Sequence, residues 1–226
     1  MQTSALLLAL RFGDTAFPSG GFAFSQGLEG LAAVYGARPD AAAIAGFLEE
    51  QLRHRWGPAE RVTLVQCHRA HGDIDAIAAL DRDLDLSSFS EPLRLGARRN
   101  GAALLATHGR LGTQGAAAYR AQVMAGVAPG TLAAVQGLLW HGCGLDEASA
   151  ELLAGYQLVA GGLAAATRLG LIGALGAQQM MPGLLDTVAS VCAEPVAPDA
   201  EPAGFAPFSD IAAARQARLP LRLFSN

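Results

Sequence analysis

With 226 residues and a formal net charge of −4, the chain is sized for one domain and lacks the basic face that nucleic-acid binding requires. Hydrophobic residues make up 51% and charged ones 16%, below the usual share of about 25%, so apolar side chains must reach the surface and call for a protein partner. All sixteen basic residues are Arg, which excludes a phosphate-loop lysine, a Schiff-base lysine and a lysine general base.

Along the chain, the apolar start Met1 to Leu10 has no basic flank and no small-residue cleavage site before Arg11 and Asp14, so no secretory leader is expected. The stretch Asp14 to Glu29 (DTAFPSGGFAFSQGLE) crowds aromatic, glycine and serine residues into a turn leading into a helix. Pro18 fixes that turn, Gly20 and Gly21 permit it, and Phe22 and Phe24 are free to pack. From Asp40, Ile44, Phe47, Leu48 and Leu52 form one helical stripe, which Gly57-Pro58 should close. A second helix is expected from Pro58 to about Ala70, stopped by His71-Gly72. A third runs from Asp73 with Ile74, Ile77, Leu80 and Leu84 along one side.

Ser88 or Ser90 then caps a helix reaching towards Leu111, with Glu91 and Pro92 in its first turn. Further helical segments are Thr113 to Gly126, Gly130 to Gly142, and a long one from Asp146. On the last, Leu152, Tyr156, Val159 and Leu163 are spaced as a packing seam. Leu152 to Pro182 holds a single charge, Arg168. Because Arg168 and then Gln178, Gln179 and Pro182 interrupt the apolar runs, the stretch reads as buried core helix and not as a membrane span. After Cys192 the proline-rich segment reads as a linker, leading to a short amphipathic piece from Asp210 to Arg222-Leu223-Phe224. That piece is either an interaction element or a frayed end. The expectation is therefore an all-α bundle over residues 1–192 with a linker and tail over 193–226. Three cysteines, an odd number in a chain that needs no staples, fit a reducing, cytoplasmic setting.

Candidate chemistry is sparse. Cys67-His68-x-x-His71 places two ligand types at i and i+4 on one helix, the start of a metal site and of an alternative reading as a metal-binding helical enzyme, but two ligands are too few. Asp81, Asp83 and Asp85 imitate a calcium loop, yet Leu86 and Pro92 stand where the glycine and the bidentate glutamate belong, so a solvated acidic helix end suffices. Ser25 lacks the first glycine of a nucleophile elbow, which Ala23 replaces, and Gly20-Gly21 lacks dinucleotide spacing. No catalytic residue and no cofactor are expected. Arg94, Arg98 and Arg99 make a local basic face suited to an acidic partner or, as an arginine finger, to another protein's nucleotide.

Two segments together resemble the UreF family of urease accessory proteins. The first is the opening signature: Asp14, Phe17-Pro18, Ser19-Gly20-Gly21-Phe22 and Ser25-x-Gly27-Leu28-Glu29. The second is the tail: Asp210-Ile211-Ala212, Arg215 and Arg222-Leu223-Phe224. The helix from Glu91 with Arg94, Arg98 and Gly101 is similar as well. Phe24 stands where many members carry His or Tyr, and Ala214, Gln216 and Ala217 replace Met, His and Glu. The resemblance implies an all-α homodimer that binds a UreD/UreH-like protein, recruits a UreG-like nickel-delivering GTPase and acts on the urease apoenzyme. It points to Asp210, Ile211, Arg215, Arg222, Leu223 and Phe224 as the partner-binding tail, ordered on binding, and to Arg94 and Arg98 as residues that face the GTPase.

Overall fold

A computed structural model describes residues 3–35, 38–219, 223 and 224, and among them every regular element is helical. Helix α1 (Thr3–Gly13) is followed by the turn of the N-terminal motif and by α2 (Leu28–Tyr35). Then come α3 (Ala41–Gln51), a π-helical stretch Leu52–Glu60 and α4 (Arg61–Arg69), which follow one another without a break. Helices α5 (Ile74–Ser87), α6 (Glu91–Leu111), α7 (Ala116–Met124), α8 (Leu132–Gly142), α9 (Glu147–Arg168), α10 (Ala174–Cys192) and α11 (Pro207–Gln216) complete the chain.

Local signals set most of these boundaries. The side chains of Asp40, Asp73 and Asp146 accept hydrogen bonds from the first-turn N–H groups of α3, α5 and α9, which satisfies donors that no helical carbonyl can reach. His71 and Gly72, with φ of 50° and 85°, stop α4 in the left-handed region.

Helix α9 lies at the centre, touching α1, α2, α3, α4, α8 and α10. One apolar cluster surrounds it, including Leu48, Trp56, Leu64, Trp140, Val159 and Leu163. A second, with Ile77, Leu105, Tyr119 and Leu138, fills the space between α5, α6, α7 and α8. Each fully buried Leu or Ile there contributes about 1.5–3 kcal/mol relative to exposure.

Four expectations are corrected. Gly57-Pro58 does not end a helix: the chain absorbs the missing Pro58 N–H by widening into the π stretch and continues to Arg69. The seam of α9 is rotated, for Leu152 and Tyr156 are 45% and 36% exposed, while Leu153, Leu158, Val159 and Leu163 are buried. The reason is that α9 is surrounded by helices on most sides, so a single stripe underestimates its buried arc. Asp81 and Asp85 are not solvated. Both are buried, Asp81 accepting hydrogen bonds from Tyr119 Oη, the Gly130 and Thr131 N–H groups and the Thr131 hydroxyl, which oppose the upward push of burial on its carboxyl pKa. Finally, α11 is already formed and packed in the chain by itself, so ordering on binding is not needed for residues 207–216.

The proline-rich segment after α10 has no helix of its own, but it is strapped along the α3–α4 rod. Arg61 donates to the Glu194 carbonyl, Arg69 to that of Val196 at 2.9 Å and Gln66 to that of Ala200 at 2.7 Å. The Ala203 and Phe205 N–H groups donate back to the Pro58 and His54 carbonyls at 3.1 and 2.7 Å. From Val196 onward these bonds run in reverse order along the rod and deliver α11 to α2.

Candidate functional site

The N-terminal motif and the C-terminal tail, almost two hundred residues apart, form one structure. Gly20, with φ 83°, turns the chain into a short 3-10 turn (Gly21–Ala23), and Thr107 of α6 anchors the turn by donating to the Pro18 carbonyl at 2.7 Å. Asp14 is exposed and accepts from the Ala16 N–H, holding the loop entrance. After Gly27 the chain enters α2 with Leu28 fully buried, and at Gly30 the backbone of α11 comes so close that an added Cβ would lie 1.8 Å from the Ala212 carbonyl oxygen.

Polar side chains lock this junction. Ser25 donates to Gln216 Oε1 at 3.0 Å, and Gln216 Nε2 donates to Glu29 Oε2 at 2.9 Å. Glu29 Oε1 accepts the Leu223 N–H at 2.7 Å. Ser25, Glu29 and Gln216 are all buried, so removing one partner leaves the others desolvated and unsatisfied. The Arg168 guanidinium, at the end of α9, stacks over the rings of Phe22 and Phe224, 3.5 and 4.3 Å from their centroids, and donates to the Phe22 carbonyl.

The tail residues separate by exposure. Phe224 is 4% exposed and is held inside the chain, whereas Leu223 and Phe22 beside it are 67% and 75% exposed. Ile211 and Arg215 are also exposed on α11, and Asp210 is half-buried at its first turn, its carboxyl pKa pushed up by burial against the pull of Arg55. Arg222 lies outside the described residues.

Between the motif, α6 and α9 lies a cavity of about 280 Å³, lined by Phe22, Gln26, Arg94, Asn100, Arg168 and Asp210 among others. Gln26 Oε1, Arg94 Nε and Asn100 Oδ1 are buried there without a protein partner. The two arginines expected to act together are thus divided. Arg94 faces this cavity, whereas Arg98 is committed to Asp85 through two hydrogen bonds, Nε to Oδ1 at 2.6 Å and a shorter one to Oδ2.

The structure does not bring Cys67 together with His71. Cys67 is wholly buried against α8, facing Gly137, with its thiol pKa raised well above the ordinary value by desolvation, while His71 is exposed. Among the described residues no three His, Cys, Asp or Glu side chains stand ready to hold a metal ion, and no helix is long and apolar enough to cross a membrane.

Sequence reasoning overlooked Arg168 and Gln216 as parts of the site. Arg168 carried a signal, as the one charge in a long apolar stretch, and its position beside two aromatic rings explains why a cation is kept there. Gln216 stood out only as a departure from the family's tail pattern, since its role depends on Ser25 and Glu29 being brought to it.

A family model described as UreF matches residues 39–185. A urease accessory protein UreF of Trichodesmium erythraeum is 32% identical over 99% of this chain and 97% of its own length. Proteins of the same description from Jannaschia sp. and Yersinia pseudotuberculosis are 29% and 26% identical, covering 99% and 100% of this chain and 95% and 100% of their own lengths. The chain belongs to the UreF family of urease accessory proteins.

Proposed function

We propose that the chain is a non-catalytic, cytoplasmic, dimeric docking factor in urease maturation. It binds a UreD/UreH-like protein through the surface where motif and tail meet, recruits and regulates a UreG-like GTPase, and has the urease apoenzyme as client. The observation that carries this reading is the lock formed by Ser25, Glu29 and Gln216. It holds the tail rigidly against the motif and leaves Phe22 and Leu223 exposed beside Arg168. Exposed aromatic and aliphatic side chains on a rigid base, flanked by a guanidinium, are the composition of an interface anchor. Arg94, on the cavity side, is the guanidinium left for a GTPase contact. Residues 193–226 serve this role as a docking arm, strapped to the helical body 1–192 through residues 194–205.

The test is affinity for a UreD/UreH-like partner. Because both residues are exposed, the double variant Phe22→Ser, Leu223→Asp should fold as the parent does and bind at least about tenfold more weakly, as loss of a hot spot does. Unchanged affinity in the folded variant would contradict the assignment of this surface.

A further inference from the structure

A second cluster, independent of the docking surface, gathers three of the chain's five histidines. His68 lies in the last turn of α4, His71 just beyond it, and His141 in the last turn of α8 beside them. The His141 ring lies 5.1 Å from that of His68 and 4.9 Å from that of His71, centroid to centroid, edge-on to both. His68 is buried and donates from Nε2 to the Leu145 carbonyl at 2.8 Å, which leaves Nδ1 as the ring nitrogen not taken up by that bond. A ring nitrogen fixed by a carbonyl in this way is the usual support of a metal-ligating histidine.

We infer that His68, His71 and His141 form a binding site for a divalent first-row transition ion. Imidazole nitrogens suit Ni²⁺, Cu²⁺ and Zn²⁺ and exclude Mg²⁺ and Ca²⁺, which take oxygen ligands. His141 stands between the other two, its ring in contact with both, so the three imidazoles face one another across the ends of α4 and α8. Asp146 and Glu147, at the start of α9, lie within electrostatic reach of His68 and offset the charge of a bound cation, although Glu147 is also paired with Arg69. The three donors are not yet arranged around one point. His71 is exposed beyond the last turn of α4 and is the ligand that swings in. The ligand set differs from the one the sequence pattern suggests, because the thiol of Cys67 is enclosed in the core and His141 takes its place.

The experiment is calorimetric titration of untagged, chelator-treated protein with Ni²⁺, Cu²⁺ and Zn²⁺ in turn, alongside His71→Ala, His141→Ala and, as a control outside the cluster, the exposed His54→Ala. The site predicts one ion per chain for at least one metal, at least about tenfold weaker binding in each cluster variant, and no change in the His54 variant. No binding by the parent chain, or equal loss in the His54 variant, overturns the inference. Paramagnetic resonance of the Cu²⁺-loaded parent supplies a reading that needs no variant. Coupling to two or three imidazole nitrogens supports the site, and its absence removes it.

Discussion

Phe205 donates its backbone N–H to the His54 carbonyl at 2.7 Å, the same carbonyl that Pro58, four residues on and without an N–H, cannot serve as an α-helix would require. A segment that looks like a free linker is therefore part of how a proline-containing helix stays continuous. The amides of Ala203 and Phe205 should exchange with solvent as slowly as those of nearby helix, despite lying outside any helix. Rapid exchange at both would show the strap to be open.

Gly30 sets the distance between α2 and α11. Gly30→Ala places a methyl group on the Ala212 carbonyl and should cost about 1–3 kcal/mol of stability, as other overpacked contacts do, with α11 becoming susceptible to protease. Gly46→Ala on α3 meets nothing within 4 Å, and should instead stabilise by about 0.5–1 kcal/mol. Urea unfolding of the two variants checks both signs.

Arg94 and Arg98 should part in their effects. Arg98→Ala strands the buried Asp85 carboxylate and is expected to cost about 1–3 kcal/mol, the half-exposed arginine itself contributing less than its partner's desolvation. Arg94→Ala should change stability by less than about 0.5 kcal/mol while weakening GTPase recruitment. Denaturant midpoints and a pull-down with the GTPase separate the two.

His108 gives the fold a pH dependence. It is wholly buried between Phe12 and Phe17, and burial, aided by Arg11, lowers its pKa to about 4. Above about pH 6.5 it is neutral in both folded and unfolded chains. Between about 6.5 and 4 only the unfolded chain takes up the proton, so stability falls as the pH is lowered, by roughly 3 kcal/mol across the window. Because buried carboxyls with raised pKa values, such as Glu151, act in the opposite direction, the measurement is a difference. His108→Gln should lose less stability than the parent between pH 7 and pH 4.5.

How far the sequence carried the structure depended on the range of the interaction. The Asp40, Asp73 and Asp146 caps and the His71-Gly72 stop act within one turn and were legible as residue types. Gly57-Pro58 misled because a π stretch carries the helix past the proline, and the outside donor to the His54 carbonyl, Phe205, comes from about 150 residues away. The two ends of the site were each legible as motifs, with Phe22, Ser25 and Glu29 in one and Asp210 and Leu223 in the other. Their union was not, since it depends on Gln216 meeting Ser25 and Glu29 and on Arg168 standing between two rings. Burial of Phe224 against the chain's own arginine likewise could not be told from burial against a partner.

The docking role is tested most directly by light scattering on purified mixtures of this chain, a UreD/UreH-like protein and a UreG-like GTPase. The proposed function predicts a complex containing all three, with two copies of this chain, and no association of the GTPase with the UreD/UreH-like protein when this chain is left out. A stable complex of those two proteins without it, or a chain that stays alone in every mixture, would contradict it.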